Sequence, residues 1–317
     1  MAHPAFIAGD WGTTHLRLFL CDRDGHVLDA KTGPGVSGVR DQVGATFLGL
    51  VKSWDDAHGP LPTVLCGMVG STIGWREVPY VTCPARPEAI ARNALRFAVE
   101  GRPIAIAPGL SCRNRLLAPD MIRGEETQIL GALQCAPMLA TGRHFLCMPG
   151  THTKWVSLKD GIVEHFLTAV TGELFDILHN HSVLVNADKT SEVVGGTEFA
   201  RALDQTKMYP DAELIHLLFE VRSRQLKGQL KRKDASAYLS GLIIGQDVSG
   251  AKRFFRADLA EAKQVVVVGS PKLGDLYAQA LKTRDLPVLR IDGEAASLAG
   301  LKTLYDVLFA EDASHAR

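Results

Sequence analysis

Phe6-Ile-Ala-Gly-Asp10-Trp-Gly-Thr-Thr-His-Leu-Arg-Leu-Phe-Leu-Cys21, followed by Asp22-Arg-Asp-Gly25 and His26-Val-Leu28, decides the fold. A β-rich run enters a Gly-Thr loop, a second run leaves it, and an Asp-Gly pair turns the chain into a third. Asp-Gly between β-rich runs is a strong hairpin signal. The same pattern returns at Phe145-Leu-Cys-Met-Pro-Gly150-Thr-His-Thr-Lys-Trp-Val-Ser-Leu158, Lys159-Asp-Gly161 and Ile162-Val-Glu-His-Phe-Leu167. Gly12 and Gly150 lie 138 positions apart, Gly25 and Gly161 lie 136 apart, and such near-equal offsets point to a duplicated core.

Working outward, Val43, Phe47, Val51 and Trp54 fall at helical spacing, as do Ile90, Ala94 and Phe97. Tyr238, Leu239, Leu242, Ile243 and Gln246 make a further helical face. Val64 to Cys66 reads as a strand ending at Gly67-Met-Val-Gly-Ser71, and Ile104 to Ala107 as one ending at Pro108-Gly109. Val265 to Val268 runs into Gly269-Ser-Pro271 and a helix to about Leu281. Val288 to Ile291 meets Asp292 and a helix beginning near Ala295. Strands alternating with helices give an α/β architecture, with a mixed sheet of about five strands expected in each lobe. The expected lobes are residues 1–142 and 143–317, the second carrying a polar, helical insertion at about 180–234.

Composition narrows the function classes. The chain has 317 residues, 46% hydrophobic and 22% charged, ordinary values for a globular protein of two domains. Lys plus Arg and Asp plus Glu are both 35, so no basic excess argues for nucleic acid as a partner. The longest aliphatic run, Val265 to Val268, is far short of the roughly 18 residues a membrane span needs. The N-terminus lacks a basic region ahead of an apolar stretch, so no signal peptide is expected. Six scattered cysteines without a C-x-x-C pair read as free thiols, and the expected compartment is the cytoplasm.

The two loops carry the chemistry. A strand entering and leaving a Gly-Thr loop points several backbone N–H groups at one place, which suits a phosphate. Asp10 at the strand end suits Mg²⁺, which takes one or two carboxylates and fills its shell with water and phosphate. Strand alternation sets Thr13, His15 and Arg17 on one face and Leu16, Leu18 and Leu20 on the other, in the core. One such loop alone is an ordinary turn; two at matching places are a stronger signal.

This pair of hairpins resembles the phosphate loops of the actin, sugar kinase and Hsp70-type ATPase superfamily. The resemblance implies two actin-like (ribonuclease H-like) lobes, ATP and Mg²⁺ as cofactors, and a nucleotide in the cleft between the lobes. Gly12, Thr13, Thr14 and Arg17 would serve the first phosphate loop, and Gly150, Thr151, His152 and Lys154 the second. Gly269 and Ser270 resemble the adenosine-side loop, although many sugar kinases carry paired glycines where this chain has one. Gly293-Glu-Ala-Ala-Ser-Leu-Ala-Gly300 resembles a connecting helix of that superfamily. Asp10-Trp-Gly-Thr-Thr, Gly67-Met-Val-Gly-Ser71 with Gly74-Trp75, Arg123-Gly-Glu-Glu-Thr-Gln128, Met148-Pro-Gly-Thr-His-Thr-Lys-Trp155 and Thr171-Gly-Glu-Leu174, in that order, resemble the 2-dehydro-3-deoxygalactonokinase family. That implies phosphorylation of the terminal hydroxyl of a six-carbon 2-oxo-3-deoxy sugar acid.

By the same resemblance Glu125 takes the place of the catalytic aspartate of wider sugar kinases, with Asp10 on the metal side. Two adjacent glutamates on a helix cannot both face one site, so either Glu125 or Glu126 is structural. A carboxylate substrate calls for an arginine fork, and Arg76, Arg113 and Arg123 flank the expected loops, with Arg76 the first choice. Gly70, Ser71 and Trp75 complete the expected substrate loop, Trp75 as either a water shield or plain core. His179 and His181 read as an insertion loop rather than a metal pair. Partners are small molecules, a sugar acid and ATP, with neither nucleic acid nor membrane; a homo-oligomer is allowed, and the sequence leaves oligomeric state open. The rival readings are a kinase for the epimeric 2-dehydro-3-deoxygluconate, a non-catalytic sugar-binding regulator of the same fold, and a chaperone-type ATPase. Regulators carry a helix-turn-helix before the first loop, for which the eight residues ahead of Gly9 leave no room.

Overall fold

A computed structural model gives the fold and describes residues 3–185 and 195–310. The opening pattern becomes the strands Pro4–Trp11, His15–Asp22 and Val27–Pro34. The first two pair antiparallel, with Asp10 opposite Arg17, and so do the second and third. Pro4–Trp11 also pairs in parallel with Thr63–Gly67, which pairs in parallel with Arg102–Ile106. Leu95–Val99 closes the far edge, making a six-stranded sheet.

That edge strand corrects the sequence reading, which places Phe97 on a helix with Ile90. The helix stops at Pro87–Arg92, and Leu95–Val99 turns through Glu100 and Gly101, both at positive φ (50° and 78°), into Arg102–Ile106. Such a two-residue turn matches the twist of a tight hairpin, and pairing with a buried strand outweighs the helical spacing. The helix Val43–His58 buries the four residues its periodicity singles out, Val43, Phe47, Val51 and Trp54, against Leu16, Leu18, Ile104 and Ile106 of the sheet. Burying a side chain of this size stabilises by about 1.5–3 kcal/mol.

The second pattern becomes Arg143–Met148, Thr153–Lys159 and Ile162–Ala169. With Val265–Gly269 and Val288–Asp292 they form a five-stranded sheet whose strand order repeats the first five positions of the other sheet. The helices Ala235–Phe254 and Pro271–Lys282 pack on it through Ile244, Val248, Leu276 and Ala280. The stretch 180–234 holds the helices Thr197–Met208 and Leu214–Leu226, which pack through Ala202, Leu217 and Val221 on Tyr238 and Leu239 of the helix Ala235–Phe254; residues 186–194 of it lie outside the described residues.

A single cut at Gly142 does not describe the packing. The described parts of residues 1–142, 159–165 and 293–317 form one compact unit, and residues 143–158 and 166–292 the other. The helix Gly293–Tyr305 starts two residues before its expected beginning and returns to the first unit, where it packs on Glu125–Cys135. The two backbones meet at glycines: a Cβ on Gly131 would collide with the Ala296 carbonyl oxygen, and one on Gly300 with that of Thr127. No helix among the described residues is long and apolar enough to cross a membrane.

Candidate active site

In the first unit the Gly-Thr loop is open to solvent at Thr13 and Thr14. Gly12 N–H bonds to His15 O at 2.9 Å, closing the turn, while the Thr13 and Thr14 amides donate to none of the described residues. Asp10, at the strand end, accepts from Arg17 Nη2 through Oδ2 at 2.6 Å, and Arg17 Nη1 reaches Glu294 Oε2 at 2.9 Å. Asp10 Oδ1 has no partner among the described residues and faces Gly67, where a Cβ would come within 3.5 Å of it. A carboxylate with one oxygen braced and the other open fits a hydrated Mg²⁺.

The Glu125–Cys135 helix begins beside this carboxylate. Gly124, at φ 107°, turns the chain into it, and a Cβ there would lie 3.5 Å from Gly67 Cα. The two glutamates part company at once. Glu126 is 0% exposed, accepting the Gly124 N–H at 2.6 Å and the Thr127 hydroxyl at 3.1 Å. Burial, and then the neighbouring Glu125, push its carboxyl up to about 8. Burial and the nearby Asp10 and Glu126 likewise push the Cys66 thiol well up. Glu125 stays partly exposed, with Oε2 3.2 Å from the Arg123 N–H.

Around the expected substrate loop, Ser71 is buried and donates to Met68 O at 2.7 Å, beside Gly70. Trp75 packs on Phe47 and Phe97, each 5.4 Å between ring centres, so it joins the core and also walls a groove. Arg76 is exposed and lies over the Phe97 ring, 5.6 Å from its centre. Arg113 Nε donates to Leu117 O at 2.9 Å. Arg123 Nη2 donates to Val78 O at 2.8 Å, its guanidinium lies 4.3 Å over Tyr80, and its Nη1 and Nε are enclosed without partners.

In the second unit the matching loop exposes Thr151, and the Gly150, Thr151 and His152 amides donate to none of the described residues. His152 Nε2 pairs with Glu173 Oε2 at 2.6 Å, and the nearly buried Lys154 bonds to His152 O at 2.8 Å, bracing the loop from within. The Thr171–His181 helix starts against this loop: a Cβ on Gly172 would collide with Gly150 O, and Glu173 N–H bonds to Thr151 O at 2.9 Å. Beside it lies an apolar pocket of about 240 Å³, lined by Gly150, Phe175, Ile243, Ser270, Leu276 and Tyr277 among others. Gly269 ends a strand, and Ser270, which lines the pocket, immediately precedes the helix Pro271–Lys282.

Behind the pocket lies a hydrogen-bond network absent from the sequence reading. The Tyr277 hydroxyl contacts Thr153 Oγ1 at 2.7 Å, Thr171 Oγ1 at 3.2 Å and Asp247 Oδ2 at 2.7 Å. Thr153 and Thr171 meet at 2.5 Å, and Trp155 Nε1 donates to Asp247 Oδ1 at 2.8 Å. Burial pushes the Asp247 carboxyl up to about 6 against these bonds. Its one visible sign in the sequence is Asp247, the lone acidic residue of the helix Ala235–Phe254.

The chain matches the family described as 2-keto-3-deoxy-galactonokinase over residues 10–304. A Rhizobium meliloti (strain 1021) protein named "Probable 2-dehydro-3-deoxygalactonokinase DgoK1" is 40% identical over 93% of this chain and 95% of its own length. The chain belongs to this family. It is a carbohydrate kinase. The Escherichia coli (strain K12) 2-dehydro-3-deoxygalactonokinase is 33% identical over 94% of this chain and 97% of its own. A crystal structure assigned to a 2-dehydro-3-deoxygalactonokinase from Sinorhizobium meliloti superposes with a TM-score of 0.84 at 38% identity, covering 96% of this chain and 99% of that one. The Clostridium difficile activator of 2-hydroxyisocaproyl-CoA dehydratase, solved with bound ADPNP, shares the fold at a TM-score of 0.53 and 12% identity, covering 99% and 98%. The family uses ATP, and its fold is the actin-like α/β fold expected from the two hairpins.

Proposed function

We propose that this kinase transfers the γ-phosphoryl group of ATP to the 6-hydroxyl of 2-dehydro-3-deoxy-D-galactonate in D-galactonate breakdown, in the cytoplasm. The observation that carries this reading is the convergence of Asp10, Gly67 and the start of the Glu125–Cys135 helix beside an open Gly-Thr loop, in a chain of this family. Phosphoryl transfer asks a protein mainly to position groups and to neutralise charge.

The free amides of Thr13 and Thr14, in the turn that Gly12 closes, cradle phosphate oxygens, and those of Gly150, Thr151 and His152 do the same with Lys154 bracing their loop. The apolar pocket with Ser270 at its rim and Gly269 behind it takes the adenine ring, which needs an apolar slot and few polar contacts. Asp10 would hold Mg²⁺, and the ion when bound would neutralise phosphate charge. Arg17 keeps the Asp10 side chain in place. Glu125, the solvent-reachable member of the pair, accepts the proton of the attacking hydroxyl. Glu126, held protonated near neutral pH, fixes the helix start. The sugar acid lies along the loop that carries Gly70, Ser71, Trp75 and Arg76, with Arg123 beneath it.

A coupled assay of ATP consumption over 2-oxo-3-deoxy acids and plain aldoses tests the reading. ADP should form fastest with 2-dehydro-3-deoxy-D-galactonate, with Mg²⁺ required and product mass higher by one phosphoryl group. Faster turnover of an aldose, or of the gluconate-derived epimer, would reject the substrate assignment.

A further inference from the structure

A groove of about 780 Å³ in the first unit is claimed by none of the residues assigned above except Trp75. One wall is the segment from Val36 to Ala45; the other is Thr72 to Trp75. Its volume falls in the roughly 300–1,000 Å³ range of small-molecule sites. The first wall is strapped to the phosphate loop: Val36 N–H bonds to Gly12 O at 3.1 Å, and Ser37 reaches Thr13 O with its N–H at 3.1 Å and its hydroxyl at 2.6 Å. A molecule in this groove therefore sits next to the loop that takes phosphate. Ser37, Asp41 and Thr72 offer hydroxyl and carboxylate partners for sugar hydroxyls, and Trp75 gives an apolar floor for the carbon chain.

Arg40 lines the same groove and stands apart from the other arginines. Arg113 donates to Leu117 O, Arg123 holds Val78 O and the Tyr80 ring with its other guanidinium nitrogens enclosed, and Arg76 lies over Phe97; none of the three lines this groove. The Arg40 guanidinium has no partner among the described residues. Its backbone sits at φ 40°, ψ −119°, where a side chain is strained and glycine is at ease. An arginine kept where glycine would cost less is the kind of strain that collects at ligand sites.

We infer that this groove binds the sugar acid and that Arg40 reads its carboxylate through a two-pronged, charge-assisted hydrogen bond. The inference rests on the sugar-acid kinase reading, and its test separates the two. Arg40→Gly relieves the backbone and removes the fork. Its melting temperature without ligand should match or exceed that of the wild type, while KM for the acid rises about 10- to 100-fold and KM for ATP holds. Arg40→Lys, which keeps the charge and loses the fork, should fall between. Thr72→Trp, at an exposed position of the other wall, should raise KM for the acid by filling the groove.

If the wild type phosphorylates the acid and none of the three variants moves its KM, the groove is not the site. A marked loss of melting temperature in Arg40→Gly assigns Arg40 a structural role and overturns its part in recognition. An affected Thr72→Trp with an unaffected Arg40→Gly keeps the groove and removes Arg40 from it. Failure of the wild type on every 2-oxo-3-deoxy acid rejects the underlying function instead.

Discussion

Adjacent glutamates at the head of one helix end in opposite circumstances, because one side chain runs into the interior and the other stays at its edge. Glu125→Gln keeps size and much of the hydrogen bonding but takes no proton at neutral pH. Its turnover should fall about 10²- to 10⁴-fold, with ATP affinity and melting temperature near those of the wild type. Glu126 governs stability instead. Its carboxyl titrates near 8 in the folded chain and in the ordinary range, near 4.5, when unfolded. Between these values the folded state holds a proton that the unfolded state has lost. Stability is therefore fullest below about pH 4.5 as far as this group is concerned, and drains away as pH rises toward 8. Denaturant melts of Glu126→Gln should show a shallower decline from pH 5 to 8 than the wild type; an equal slope would mean that Glu126 ionises freely in the fold.

At the scale of elements, the Tyr277 hydroxyl joins the second hairpin, the helix that follows it and two later helices through Thr153, Thr171 and Asp247. Three hydroxyls and one carboxylate share few protons, so each bond depends on its neighbours. Tyr277→Phe leaves Asp247 with Trp155 as its remaining hydrogen-bond donor in the network and leaves Thr153 and Thr171 bonded only to each other within it. We expect a loss of about 1–3 kcal/mol by thermal melting, and a higher KM for ATP with KM for the acid unchanged. An unchanged KM for ATP would make the network a matter of stability alone. This level was only partly legible in sequence. The hairpins could be read because Gly-Thr and Asp-Gly signal locally. The network could not, because Thr153, Asp247 and Tyr277 are far apart in the chain and ordinary in their own surroundings. Phe97 misled for a related reason: its spacing from Ile90 suits a helix, and only the partner strand Arg102–Ile106 decides otherwise. Arg40 carries no local signal, because nothing in its residue type reveals a positive φ.

For the whole molecule, the crossing of Glu125–Cys135 with Gly293–Tyr305 ties the later of these helices to the first unit at Gly131 and Gly300. Gly131→Leu places a branched side chain against backbone that cannot yield, and overpacking of this kind costs about 1–3 kcal/mol or more. Hydrogen exchange should then quicken in the first unit, at Pro4–Trp11 and Thr63–Gly67, and stay slow at Val265–Gly269 in the second. Uniform quickening would show that the two units unfold as one. The duplication was legible as two motifs at a near-constant offset. The return of the C-terminal helix was not, since a strand-helix sequence carries no mark of which sheet it will cover.

That returning helix also orders events during synthesis. A ribosome releases the entire second unit, through Asp292, while the first still lacks a piece of its interior. The unit encoded first is thus the one completed last, and the helix that carries Glu125 finds its packing partner only when the stretch from Gly293 has emerged. On the proposed assignments, a chain cut short by premature termination or C-terminal trimming keeps its apolar pocket beside Gly150 and leaves Glu125 unsupported, so it should hold ATP without spending it.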